Sequence, residues 1–324
     1  MSGTVVALSG GIGGAKLALG LGRVLPGPEL AIVANTGDDF RHLGLAISPD
    51  VDTLLYTLSG LADPVRGWGR REETWTFMAA LEQLGGETWF RLGDGDLAIH
   101  VERTRRLAAG ETLTAVTDRL RLRLGIAARV LPMSDDPVRT RLDTDAGRLD
   151  FQDYFVRRRC EPRVRNVEFP GADTAAPSPE VMTALTSGDL RAVVICPSNP
   201  LLSIGPILAI AAIRAALLDC PAPVVAVSPI IGGEAVKGPT ARMMRELGLD
   251  TSPAGVARHY AGLLDVLVID EADAASDLPA GVEVLVAPTL MTTLEDRERL
   301  ARVVLAAADR VAGRPTALSI STGM

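Results

Sequence analysis

The stretch Ser9-Gly10-Gly11-Ile12-Gly13-Gly14-Ala15-Lys16 constrains this chain more than any other. It follows a short apolar run at residues 5–8 that reads as a buried strand. It opens a helix-period segment at 13–24, which Pro26-Gly27 closes. Residues 30–34 read as a second strand. Strand, glycine turn, helix and strand in that order make a parallel βαβ unit, and its fixed handedness leaves few folds open.

The same rhythm returns from Ser178. Strands are expected at 192–196, 224–227, 266–269 and 282–286, mostly separated by helices. Ser178-Pro179 and Ser252-Pro253 open two of these helices, with proline at the first helical position. Thr292-x-x-Glu295 reads as a capping box opening the last. The middle differs. Amphipathic patterns at 72–84, 97–109 and 113–124 predict helices, residues 138–156 predict a hairpin around Asp145-Ala146-Gly147, and 170–180 read as a surface connection. The expected fold is α/β: a Rossmann-like, doubly wound, mainly parallel sheet built from residues 1–60 and 178–324. Residues 61–177 are expected as an inserted, mostly helical subdomain carrying a β-hairpin.

Composition narrows the function classes. The net charge of −7 argues against a broad basic face, so no nucleic-acid partner is expected. Three cysteines, at 160, 196 and 220, are too few and too widely spaced for a disulfide framework or a zinc site, and are expected as reduced, mostly buried thiols. Histidine occurs only at 42, 100 and 259, which disfavours a His-rich metal centre. The apolar stretch 201–218 is interrupted by Pro206 and Arg214, so it reads as a loop and a buried helix, not a membrane span. With no basic leader at the amino end, the expectation is a cytoplasmic protein away from membranes.

Candidate chemistry sits at the predicted strand ends, where open α/β sheets bind ligands. Gly10, Gly11, Gly13 and Gly14 let backbone N–H groups approach a phosphate at a helix N-terminus, with Lys16 beside them. The turn is not a Walker A loop, because Ala15-Lys16-Leu17 replaces Gly-Lys-Ser/Thr. It does not complete a dinucleotide fingerprint either, because Lys16 occupies the third glycine position; this weakens the rival reading of a nicotinamide oxidoreductase. Asn35-Thr36-Gly37-Asp38-Asp39 follows the second strand, and Asp50 and Asp52 follow soon after. Four carboxylates so close to a phosphate loop suggest a hard cation such as Mg²⁺. Taken singly, Asp50 reads equally as a solvated helix cap and Asp39 as a surface charge. Arg91-Leu92-Gly93-Asp94-Gly95-Asp96, Ser198-Asn199 and the loop ending in Lys237 are further polar clusters; each reads alternatively as a capped or punctuated turn.

These blocks, with Leu-Pro-Met-Ser-Asp-Asp-Pro at 131–137, resemble in their order the 2-phospho-L-lactate transferase family of deazaflavin coenzyme (coenzyme F-420) biosynthesis. The resemblance implies a Mg²⁺-dependent transfer of a phospholactyl or phosphoenolpyruvyl group from a guanylyl diphosphate donor. The acceptor it implies is the terminal ribityl hydroxyl of 7,8-didemethyl-8-hydroxy-5-deazariboflavin (Fo), with release of GMP. The donor is the guanylyl diphosphate ester of lactate, enolpyruvate or glycerate. By the same resemblance Asp38 and Asp52 match the acidic positions at the metal and reaction centre, and Asp52 and Arg91 match Fo-binding positions. The glycine turn, Lys16, Asn35, Ser198, Asn199 and Lys237 are expected around the donor's nucleotide and phosphates. The family style suggests a homodimer. Arg91 stands where many relatives have Lys, which keeps the charge and alters the bonding geometry. Trp68, Trp75, Trp89 and Phe90 are expected as the apolar wall for the flat deazaflavin. The main rival is a nucleotide-sugar-binding regulatory protein of the same fold.

Overall fold

The computed structural model of the chain describes residues 3–236, 238–274 and 281–313. Its centre is a seven-stranded sheet of β1 (Thr4–Ser9), β2 (Leu30–Ala34), β3 (Arg129–Pro132), β4 (Leu190–Ile195), β5 (Val224–Val227), β6 (Val266–Ile269) and β7 (Glu283–Val286). The spatial order is β7-β6-β5-β4-β1-β2-β3, and all the pairings are parallel. The chain turns back on itself between β1 and β4. A crevice therefore opens beyond their carboxyl ends, the switch point where doubly wound sheets bind ligands.

Both faces of the sheet are covered, which is why its inner strands are nearly unbroken Val, Ile, Leu and Ala. Val5 and Ala7 of β1 face α1 (Gly11–Val24), α2 (Pro49–Leu58) and the final helix. Val6 and Leu8 face the opposite layer. Between α2 and β3 the chain adds α3 (Thr76–Gln83), α4 (Asp94–Ala108) and α5 (Leu113–Arg123). After β3 come a hairpin of Arg141–Thr144 and Gly147–Asp150, then α6 (Pro179–Leu185). The carboxyl half supplies α7 (Gly205–Ala209), α8 (Ala211–Leu218), α9 (Thr240–Glu246), α10 (Pro253–His259) and α11 (Leu294–Val311).

Several expectations are corrected. The stretch 61–177 is not wholly an insertion, because β3 returns to the central sheet beside β2. It is an edge strand of four residues ending in Pro132, and an edge is where a sheet tolerates proline; so short a run gives little sequence signal. The hairpin has a third partner, Val164–Glu168, whose run Val-Arg-Asn-Val-Glu breaks the strict alternation of a strand. The first insertion helix begins only at Thr76: Glu72 adopts a left-handed backbone (φ 57°), and Trp75 directly before the helix is also non-helical (φ −128°, ψ 28°). The last capping box lies one residue later than expected. Thr293 Oγ1 accepts from the Asp296 N–H at 3.1 Å, and Asp296 Oδ2 accepts from the Thr293 N–H at 2.9 Å.

The apolar stretch after β4 is a five-residue coil of helix at Pro200–Ile204 continuing into α7, then α8, with a 91° bend between the two helical arms. Among the described residues no single helix is long and apolar enough to cross a membrane. Cys196 is buried, Cys160 and Cys220 are half-buried, and all three are free thiols.

α1 packs directly on α11, and Gly20 is the point of closest approach: a Cβ there would run into the Arg297 carbonyl. Gly20→Ala is expected to destabilise the protein by about 1–3 kcal/mol through overpacking, read as a lower urea midpoint at unchanged slope.

Candidate active site

A cavity of about 560 Å³ opens at the β1/β4 switch point. One wall is the glycine turn with the α2 N-terminus and the loops after β4 and β5. The inserted region contributes Trp68, Trp89, Phe90, Arg91, Asp96 and His100 to the lining, joined by Phe151 and Phe155. The volume suits a small-molecule ligand with room for more than one group.

The turn after β1 has glycines because neighbouring backbone lies too close for side chains. A Cβ on Gly13 would strike the Pro197 carbonyl, and one on Gly10 would come within 2.6 Å of both Asp50 Oδ2 and Ser203 Cβ. Ser198 clamps the turn from the β4 side. Its Oγ accepts from the Gly10 N–H at 3.2 Å and donates to the Gly10 carbonyl at 2.8 Å. Gly11 lines the cavity, but its N–H is donated to Asp50 Oδ1 at 2.8 Å. Ile12 and Gly13 also line it, at the helix end where N–H groups lack intrahelical partners.

The four early aspartates separate into different roles. Asp50 is buried and braced: Asn35 Nδ2 donates to its Oδ2 at 2.9 Å, opposite the Gly11 amide. Burial still raises its pKa, against the lowering effect of those two bonds. Asp39 is buried and receives the Ser48 hydroxyl at 2.8 Å, yet burial pushes it up to about 7. Asp38 lines the cavity with a buried Oδ1 that has no hydrogen-bond partner. Its pKa is held well above the usual carboxylate range, first by burial and then by the negative charges of Asp50 and Asp39. A buried acceptor short of positive charge fits a divalent cation.

Asp52 is electrically different. Arg103 Nη1 donates to its Oδ2 at 3.0 Å, and Nη2 donates to its Oδ1. Of the two aspartates expected as joint metal ligands, Asp38 keeps an oxygen without a hydrogen-bond partner, whereas both Asp52 oxygens already meet a guanidinium. Behind them runs a polar chain. Tyr56 Oη donates to Asp96 Oδ1, His100 Nε2 lies 3.2 Å from the same oxygen, and His100 Nδ1 lies 3.3 Å from Arg103 Nη1. Against the burial that raises it, His100, Tyr56 and Arg103 together pull Asp96 below its ordinary value.

The other expected residues divide. Gly10, Gly11, Gly13, Lys16, Asp38, Asp52, Arg91, Ser198 and Asn199 all line the cavity. Gly14 does not; it packs against Ser198 and Ser9. Asn35 does not either, because its amide is engaged by Asp50, the Leu202 carbonyl and the Gly37 N–H. Asn199 caps the turn after it, accepting from Leu201 and Leu202. Lys16 Nζ donates to the Met291 carbonyl at 2.7 Å. Lys237 lies outside the described residues. Of the aromatic wall, Trp68, Trp89 and Phe90 line the cavity, while Trp75 is covered by the Arg91 guanidinium at 4.2 Å from its ring centre. Asp94 is a brace, accepting from the Thr76 and Phe77 amides. Asp135 and Asp136 likewise accept from the Thr114 and Ala176 amides, away from the cavity. Sequence reasoning missed Tyr56, His100 and Arg103. The signal was there: Asp96, His100 and Arg103 recur at helical spacing on α4, one face of one helix.

A family model described as 2-phospho-L-lactate transferase CofD matches residues 5–286. The chain belongs to that family. As a CofD-family protein it is a transferase of coenzyme F-420 biosynthesis. It is 41% identical over 317 residues to a phosphoenolpyruvate transferase of Kitasatospora aureofaciens, covering 95% of this chain and 98% of the relative. It is also 41% identical over 306 residues to a 2-phospho-L-lactate transferase of Methanosarcina mazei, covering 94% and 100%. The crystal structure of a Bacillus halodurans member of the UPF0052 family superposes with a TM-score of 0.62 at 16% identity, over 94% of this chain and 99% of that one, so the two share the fold.

The raised Asp39 makes stability depend on pH. Its folded carboxyl holds a proton up to about 7, whereas the unfolded one loses it near 3.8, so stability falls as pH rises through that window. Asp39→Asn removes this loss. Measured by urea unfolding in a chelating buffer, the variant is expected to gain about 1–3 kcal/mol on wild type at pH 8 relative to the difference at pH 4.

Proposed function

We propose that this cavity joins an acid-bearing phosphate to Fo. In this reading the donor is the guanylyl diphosphate ester of lactate, enolpyruvate or glycerate. The terminal ribityl hydroxyl of Fo attacks the phosphorus that carries the acid. The bond from that phosphorus to the bridging oxygen breaks, GMP departs with that oxygen, the hydroxyl's proton passes to solvent, and a phosphodiester remains. The observation that carries the reading is the pairing of two unlike walls around one space. A glycine turn and Asp38, with a buried oxygen that has no hydrogen-bond partner, line the same cavity as Trp68, Trp89 and Phe90.

The roles follow from the residues' surroundings. The N-terminus of α1 and the loop held by Ser198 face the diphosphate, where N–H groups stabilise charge on the departing GMP. Asp38 would hold Mg²⁺. Such an ion offsets the charge of the diphosphate as it is cleaved. Asp52 receives the ribityl hydroxyl as a hydrogen-bond acceptor. Arg91, already stacked on Trp75, contacts Fo beside Trp89 and Phe90. Phosphoryl-type transfer needs mainly such positioning and electrostatic stabilisation. The same reading puts the enzyme in the cytoplasm, as a homodimer whose mass sedimentation would report.

Incubation with Fo, Mg²⁺ and each of the three guanylyl donors in parallel is expected to release GMP and yield a more acidic deazaflavin with one of them, which names the acid. Tight nucleotide binding without GMP release from any donor would instead identify a regulatory protein. Asp38→Asn is expected to lower turnover about 10²-fold or more and to raise the Mg²⁺ concentration needed for half-activity. Arg91→Ala is expected to raise KM for Fo about tenfold while changing KM for the donor little; an equal rise in both removes Arg91 from the Fo wall.

A further inference from the structure

We infer that Arg103 is a positioning residue for the acceptor hydroxyl, acting through Asp52, and this rests on the functional reading above. Arg103 is fully buried and does not line the cavity, whereas Asp52, Asp96, His100 and Tyr56 all do. It projects from α4, in the inserted region, and holds Asp52 on α2, at the edge of the sheet core. Both of its terminal nitrogens meet Asp52, one on each carboxylate oxygen. That fork fixes the plane of the carboxylate as well as its place.

The direction of the remaining bonds follows from what each group is able to donate. A guanidinium has donors and no acceptor. His100 Nδ1, 3.3 Å from Arg103 Nη1 and 3.6 Å from Asp52 Oδ2, pairs with the guanidinium only as an acceptor, while His100 Nε2 lies 3.2 Å from Asp96 Oδ1. Tyr56 donates to that same oxygen. Arg103 thus donates to the Asp52 carboxylate, to the imidazole and, at 3.4 Å, to the Ala46 carbonyl. Asp52 ends the chain as an acceptor at the cavity wall, and its complement is a ligand hydroxyl that donates. An alcohol seated there has its oxygen lone pairs turned away from Asp52 and free for attack on phosphorus.

A pair that served the fold alone would make no distinction between acceptor and donor substrates. Arg103→Lys keeps the charge and loses the fork. It is expected to lower kcat/KM for Fo about thirtyfold or more, to change KM for the guanylyl donor less than about threefold, and to melt close to wild type. In an Asp52→Asn background the same change is expected to lower kcat/KM by less than about threefold further, because the two residues act as one unit. Losses that multiply in the double variant, a fully active Arg103→Lys, or equal effects on both substrates overturn the inference. Asp52→Asn/Arg103→Gln removes both charges and lets two amides pair, so it leaves no lone buried charge. Its melting temperature is expected to recover relative to Asp52→Asn without recovery of turnover. Turnover returning together with stability makes the pair a structural tie and overturns the inference. A wild type that transfers none of the three groups and binds no Fo overturns the functional reading and this inference together; an active wild type beside an equally active Arg103→Lys overturns the inference alone.

Discussion

The Asp50 carboxylate is the contact on which the site depends. It receives the Gly11 amide from the end of β1 and the Asn35 amide from the end of β2, while sitting in the first turn of α2. Asn35 extends the tie to the Leu202 carbonyl beyond β4 and to the Gly37 N–H. One buried carboxylate and one buried amide thereby join the segments that flank the β1/β4 crevice. Buried polar groups hold a structure this firmly when each has a partner, because an orphaned one costs about 1–3 kcal/mol. The glycine turn keeps its shape by being tied from below, which leaves its opposite side open to a ligand.

Around that tie the molecule concentrates negative charge in a place water reaches poorly. Asp38, Asp39 and Asp50 are all buried, and all three are pushed toward the protonated form by burial. Both oxygens of Asp52 instead meet Arg103, which reaches it from a different part of the chain. Aspartates so near in sequence thus stand in opposite electrical situations. One group is short of positive charge and suits a cation brought with a substrate. The other is already compensated and is left to accept a hydrogen bond.

The inserted region gives one switch point two unlike linings. The sheet core supplies the glycine turn and the aspartates, the parts suited to phosphate and metal. The chain just before α2 and the loops between α2 and β3 supply rings: Phe40, His42, Trp89 and Phe90 cluster at centroid separations between 4.9 and 6.2 Å, four of the six pairs edge to face and two tilted. That cluster gives the far wall a rigid apolar surface. Arg103 ties the same region back to the core, so the distance between the walls is set by a buried ion pair as well as by packing.

Much of this was legible in the chain itself. Val5, Ala7 and their neighbours announce buried parallel strands, because strands covered on both faces need apolar residues throughout. The glycines at 10–14, placed between a strand and a helix, announce close approach at a helix N-terminus, and the ordered motifs carry the family. Local pattern did not reveal β3, whose four residues gain their strand identity only by pairing with β2, nor the braces Asn35, Asp94 and Asp135, which look like ligands until their partners are in view. Sequence order determined the architecture and the kind of chemistry, since periodicity and glycine placement are local properties of the chain. Tertiary structure alone decided which aspartate stays short of positive charge and which is answered by Arg103, because a carboxylate's role is set by the charges that folding brings within a few ångströms of it.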